Sequence, residues 1–205
     1  MKYSIHSHRN GKELLETQHR EIWEELQKVL DEITEEDLIK QFPLSKNKMS
    51  LSSAINNLIK ERLSSKEWVP EAPIFQDPEY SQKRETIWRL DFAKGPISIE
   101  VSFNHGEALA WNLTKPTLAS EMNHVRKAIQ TKVGVIILVK EGMKSAGAFD
   151  GAVGSYEKAI RYLKPMHTLL TVPTVLIGLK APKTFEVEKE MRNGRNVGVI
   201  KLNDT

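Results

Sequence analysis

The sequence predicts an α/β domain in which helices flank a mixed β-sheet. The stretch "VGVIILV" (133–139) is continuously apolar and of strand length, as expected of a strand covered on both faces, and "VPTVLIGL" (172–179) reads as a further buried strand. Other segments return apolar residues at three- and four-residue spacing, the period of a helix with one buried face. The chain has 205 residues, 40% hydrophobic and 28% charged, which suits one domain with a sizeable core.

Residues 13–33 predict one long amphipathic helix, with Leu15, Ile22, Leu26, Val29, Leu30 and Ile33 on a stripe between glutamates. A second helix runs from Ser50 to Leu63, with Leu51, Ile55, Leu58, Ile59 and Leu63 inward. Residues 64–82, proline-marked and mixed polar, read as an ordered connection. "TIWRLDF" and "ISIEVSF" flank "AKGP" and predict a β-hairpin. "KPTLASEMNHVRKAIQ" (115–130) reads as a helix with Pro116 in its first turn and Leu118, Met122, Val125 and Ile129 on one face. The strand 133–139 follows, then a glycine-rich loop 141–154, a helix from "SYEKAIRYL" and the strand 172–179. Hairpin, helix, strand, helix, strand is the order of a mixed α/β sheet. By segment, a mostly helical part (1–84) precedes an α/β core (85–180) and a carboxy-terminal extension (181–205), all within one domain.

No apolar run approaches the roughly 20 residues that span a bilayer, and the amino terminus lacks the apolar core of a signal peptide. The chain has no cysteine, which excludes disulfides and thiolate metal sites and fits a reducing cytoplasm. Charge is uneven: residues 1–114 carry 15 Lys/Arg against 19 Asp/Glu, a balance of −4, and residues 115–205 carry 15 against 8, a balance of +7. A basic half serves a polyanion-binding face, or it is only an unevenly charged surface.

The hairpin holds the candidate chemistry. In "ISIEVSF" the period of two puts Ile97, Ile99, Val101 and Phe103 on one face, and Ser98, Glu100 and Ser102 on the other. Asp91 lies opposite or diagonal to that polar face, within reach of Glu100. Two hard carboxylates meeting at a sheet edge suit Mg²⁺, which acidifies water and neutralises charge building on a phosphodiester. Two acids on a hairpin can equally face solvent. Glu100, set between apolar positions of a central strand, needs a partner, because an unpaired buried carboxylate is costly.

"ISIEVSFNHGEALAWNLTKPTLA", then "VGVIILV", the loop into "GSYEKAI" and "VPTVLIGLKAP", resembles the BglII/BstYI group of type II restriction endonucleases, within the PD-(D/E)XK nuclease superfamily. The opening "HSHRNGKELLETQHREIWEELQKVLDEI" is similar to the amino-terminal helix of that group. The similarity touches most of the chain, least clearly residues 37–84. The resemblance implies a restriction-endonuclease-like mixed sheet flanked by helices. It also implies a prokaryotic, cytoplasmic, homodimeric and Mg²⁺-dependent enzyme that cuts both strands of a short palindromic site in double-stranded DNA, leaving 5′-phosphates. A cognate DNA methyltransferase would then protect the host genome.

By position, Asp91 and Glu100 match the family's metal-binding carboxylates, and the Val101 carbonyl is a further candidate ligand. The usual lysine two positions after the glutamate is replaced by Ser102, which can position a water but not act as a base. Asn104, His105, Ser155 and Tyr156 fall where the group approaches bases, although Asn104-His105-Gly106 also reads as a turn and Ser155 as a helix N-cap. Lys115, Lys144, Lys158 and Arg161 are candidate phosphate contacts. The helix 115–130 is the candidate for part of a dimer interface. Ser102 keeps open a catalytically inactive DNA-binding protein on the same fold, and a repair or structure-specific nuclease is a third reading.

Overall fold

A computed structural model describes residues 1–45, 49–82, 86–121, 124–192 and 194–203. In chain order the elements are β1 (Tyr3–His8), α1 (Gly11–Gln18), α2 (Arg20–Glu32), α3 (Glu35–Gln41), α4 (Ser52–Ser64), β2 (Val69–Pro73), α5 (Pro78–Ser81), β3 (Arg89–Lys94), β4 (Ile97–Val101), α6 (Leu109–Ser120), β5 (Val133–Val139), α7 (Glu141–Ala146), α8 (Tyr156–Leu163), β6 (Thr174–Leu179), β7 (Phe185–Arg192) and β8 (Arg195–Leu202). Short 3₁₀ turns follow α3 and precede β3.

Six strands form one sheet in the order β1-β6-β5-β4-β3-β2, with β4, β5 and β6 parallel and the outer pairings antiparallel. This is the predicted mixed sheet. Its middle strands β4, β5 and β6 are buried almost throughout, because helices cover both faces. In β5, Val135, Ile137 and Val139 pack with Leu15, Trp23, Leu26 and Ile55 of the amino-terminal helices. Ile136 and Leu138 point the other way, to Leu109 and Leu113 of α6 and Ala159 of α8. Phe185 and Val187 of β7 join the first of these cores, so the carboxy-terminal segment packs with the amino-terminal helices.

Several elements depart from the sequence prediction. The helix expected over 13–33 is two, broken at His19, whose φ of −132° and ψ of 33° are not helical. A single rotated residue keeps the apolar spacing on both sides, so periodicity cannot detect it. The connection 64–82 contains β2, which tolerates Pro70 and Pro73 because it is an edge strand. The amino-terminal Tyr3–His8 and the carboxy-terminal 185–202 are strands as well, too polar on alternate positions to stand out from surface chain.

The largest correction concerns the helix expected over 115–130. It starts six residues earlier, at Leu109, and ends at Ser120, with Pro116 in its interior instead of its first turn. Pro116 is accommodated because it packs on bare backbone: a Cβ on Gly134 would stand 2.6 Å from the proline ring. Residues 124–130 are irregular instead, with a single bridge from Lys127 to Phe75, Gln76 N–H donating to Arg126 O and Ala128 N–H to Ile74 O. Val125 and Ile129 then cover a small core of Ile74, Phe75 and Leu90. Met122 lies outside the described residues. The dimer face assigned to a helix through Gln130 therefore does not exist as a helix beyond Ser120. Among the described residues, no helix is long and apolar enough to cross a membrane.

Candidate active site

The β3–β4 hairpin turns at Gly95, whose φ of +51° is readily adopted only without a Cβ. Pairing registers Phe92 with Ile99, which sets Asp91 across from Glu100 on the same face. There side chains take over the ladder. Val101 N–H donates to Asp91 Oδ2 at 2.6 Å, and Asp91 N–H donates to Glu100 Oε1 at 3.3 Å. The two carboxylates predicted from the hairpin are thus brought together, and each keeps lone pairs directed elsewhere.

Glu100 is 2% exposed, on a strand flanked by β3 and β5. Burial and the adjacent Asp91 charge push its pKa up to about 8, against the pull of Lys115. Burial also raises Asp91, opposed by the Val101 N–H and Lys115. Further positive charge beside them would favour the ionised form of both. They line a cleft of about 360 Å³ shared with Val101, Asn104, Asn112 and Lys115, and with Asn56, Asn57 and Lys60 of α4 on the opposite wall. A larger cavity of about 450 Å³ near Met1 and Pro182 is mostly apolar-lined and holds no carboxylate pair.

The donor set fits one small, hard cation: two carboxylates and the neighbouring Val101 carbonyl, with room for water and a phosphate oxygen. Among the described residues no group of three or more His, Cys, Asp or Glu assembles anywhere, so no competing metal site of that kind is present.

Ser102 does not open into this space. It is 1% exposed, its N–H donates to Ile137 O, and its hydroxyl accepts from Asn112 Nδ2 at 2.9 Å. Lys115 also sits differently from a surface phosphate contact. It is 7% exposed, with Nζ 2.8 Å from Glu100 Oε2. Asn112 and Lys115 are three residues apart on α6, on the face turned to the sheet. The helix start placed at Lys115 in the sequence had removed Asn112 from view. Asn56, Asn57 and Lys60 were also missed, since nothing in their spacing separates them from an ordinary exposed helix face.

The proposed base-reading residues divide into two sets. Asn104 and His105 are exposed and held by pairing with the glycine-rich loop, Gly106 N–H to Ala152 O and Gly154 N–H to Asn104 O. They border a hollow of about 270 Å³ with Asp150 and Lys189, joined to the carboxylate cleft through Asn104. Ser155 and Tyr156 lie inward. Ser155 is 1% exposed and caps α8 by accepting from Lys158 N–H at 3.2 Å. Tyr156 packs against Gly178, under the Lys140 ammonium 4.9 Å from its ring centroid. Lys144 secures the loop by donating to Gly151 O at 3.1 Å, and Lys158 lies beside Gly106. Replacing Ser155 by alanine is expected to cost about 1 kcal/mol, the usual value of an N-cap. Urea unfolding measures it, and an unchanged midpoint would remove the capping role.

The family described as restriction endonuclease BglII/BglIII matches residues 3–179. Among solved structures, BglII complexed with a DNA 16-mer is 19% identical, with a TM-score of 0.65, covering 99% of this chain and 100% of that one. Free BglII is 18% identical, with a TM-score of 0.57 and the same coverage. No curated protein matches the chain.

Proposed function

The chain belongs to the BglII/BglIII family and is a type II restriction endonuclease acting on double-stranded DNA with a divalent metal, and we propose that it is a Mg²⁺-dependent homodimer that cuts both strands of a short palindrome to leave 5′-phosphates. One observation carries the placement of the chemistry: Asp91 and Glu100 face each other across the β3–β4 pairing, at the wall of a polar cleft.

In this reading Asp91, Glu100 and the Val101 carbonyl hold the cation. When bound, it supplies Lewis acidity, acidifying water and neutralising charge on the phosphodiester. The chain's own residues do the rest. The hairpin holds both carboxylates on ordered strands, with Asp91 Oδ2 fixed by the Val101 N–H. Asn104 and His105, exposed beside the cleft, read base edges in the major groove, while Lys144 and Lys158 flank the loop that supports them. A palindromic site calls for a two-fold protein, hence the dimer. The whole chain serves as one endonuclease domain, consistent with the core that joins α1, α4, β5 and β7. An enzyme of this specificity requires a methyltransferase that marks the host's own sites.

Purified protein with Mg²⁺ is expected to convert plasmid DNA into discrete fragments. Sequencing their ends is expected to give one self-complementary site with 5′-phosphates. A smear, or uncut plasmid across several divalent metals and methylation states, would overturn this reading.

A further inference from the structure

We propose that Lys115, carried by α6 and not by the catalytic hairpin, is the cationic catalytic residue of this nuclease and contacts the scissile phosphate. The inference deepens the proposed site and rests on Asp91 and Glu100 being the cation-binding pair.

Position comes first. Lys115 Nζ stands 2.8 Å from Glu100 Oε2, and both side chains are nearly sealed from solvent, at 9% and 2% exposure. Lys115 nevertheless borders the cleft that Asp91 and Glu100 line. Of its three protons one serves Glu100. Among the described residues no other acceptor is recorded for it, so two donors remain for a ligand in the cleft.

Charge points the same way. Asp91 and Glu100 contribute −2 and a divalent cation +2, so a phosphodiester entering that site would add uncompensated negative charge. Lys115 supplies the compensating charge in contact with the pair, while Glu71 and Lys60, which also line the cleft, offset each other. Lys60 borders the cleft from an exposed position on α4, whereas Lys115 is buried against Glu100.

Energetics argue against a purely structural role. A buried Lys–Glu pair stabilises a fold no better than apolar residues of similar volume, because desolvation offsets the attraction. A buried ion pair that opens on a polar cleft is a candidate for a functional role. The anchoring is specific as well. Asn112, one turn before Lys115, donates to Ser102 Oγ just past the end of β4, so α6 is tied to β4 at Glu100 and to the residue that follows the strand, which fixes where the lysine projects.

The test uses Lys115→Met and Lys115→Gln in the full chain, with an oligonucleotide duplex carrying the site mapped by plasmid digestion. At saturating Mg²⁺ the single-turnover cleavage rate is expected to fall at least about 100-fold, as for loss of one preorganised donor to the reacting group. The second readout needs no cleavage. With Ca²⁺ replacing Mg²⁺, affinity is measured for the normal duplex and for one bearing a neutral methylphosphonate at the scissile position. Wild type is expected to lose about five- to tenfold in affinity on that change and the variants little or nothing, the coupling of directly contacting groups. Cleavage within threefold of wild type overturns the proposal. So does equal methylphosphonate sensitivity in wild type and variants, and so does failure of both variants to fold, which would make the lysine a structural partner only. If wild type itself neither cuts nor responds to divalent metal, the carboxylate site has failed, and that is distinguishable from failure of Lys115 alone.

Discussion

Asp91→Ala is expected to lower the single-turnover cleavage rate at least about a thousandfold, roughly 4 kcal/mol of lost transition-state stabilisation. Its carboxylate does two things at once. One oxygen accepts the Val101 N–H and so sets the end of β4, and the other is free toward the cleft. Asp91→Asn keeps the size of the group but loses the charge, so it separates the roles. If charge matters, the asparagine variant is as inactive as the alanine one while remaining folded. DNA affinity is expected to survive in both, because the proposed phosphate and base contacts lie on other residues. A rate within tenfold of wild type for either variant would remove Asp91 from the site.

The second large effect is on stability and its dependence on pH. Glu100 in the fold titrates at about 8, against 4.5 when unperturbed, because burial and Asp91 disfavour its charge. The folded state therefore holds a proton that the unfolded state has released between those two values. For an acid raised in this way, stability is highest at low pH and falls as pH rises through that window. In a chelator, wild type is expected to lose a few kcal/mol between pH 5 and pH 8 from this group; Asp91, also raised by burial, acts in the same direction from the ordinary carboxylate range upward. Glu100→Gln removes the share of Glu100, so its stability-versus-pH curve is expected to be flatter. A saturating divalent cation reverses the wild-type trend, because the cation binds the ionised pair and protons compete with it. Denaturant unfolding at pH 5, 6, 7 and 8, with and without Mg²⁺, makes the comparison. Parallel curves for wild type and Glu100→Gln would show that Glu100 is not the titrating group.

These effects fall on residues that differ in how they were found. Asp91 and Glu100 were legible because a hairpin is local: a turn at Lys94–Gly95 and a period of two leave little freedom in which side chains face each other. Ser102 was seen but given the wrong surroundings. By the period of two it shares the face of Glu100, but it lies just past β4 and Asn112 covers its hydroxyl. The sequence offers Lys115 only as a phosphate contact, and the tertiary structure sets it, buried, beside Glu100.

By itself the sequence determined the apolar strands β5 and β6, the hairpin, the amphipathic faces of the amino-terminal helices and the carboxylate pair. Each of these is written in residues close together along the chain, where hydrophobic period and turn chemistry act. Tertiary structure decided the rest: edge strands β1 and β2, the β7–β8 hairpin, and the frame of α6. The α6 frame depended on Pro116 finding the bare backbone of Gly134, eighteen positions away. That contact sets the helix over the sheet and brings Asn112 and Lys115 onto the hairpin's polar face. Side-chain volume and a missing Cβ on a different strand fixed it, and no local pattern encodes that pairing.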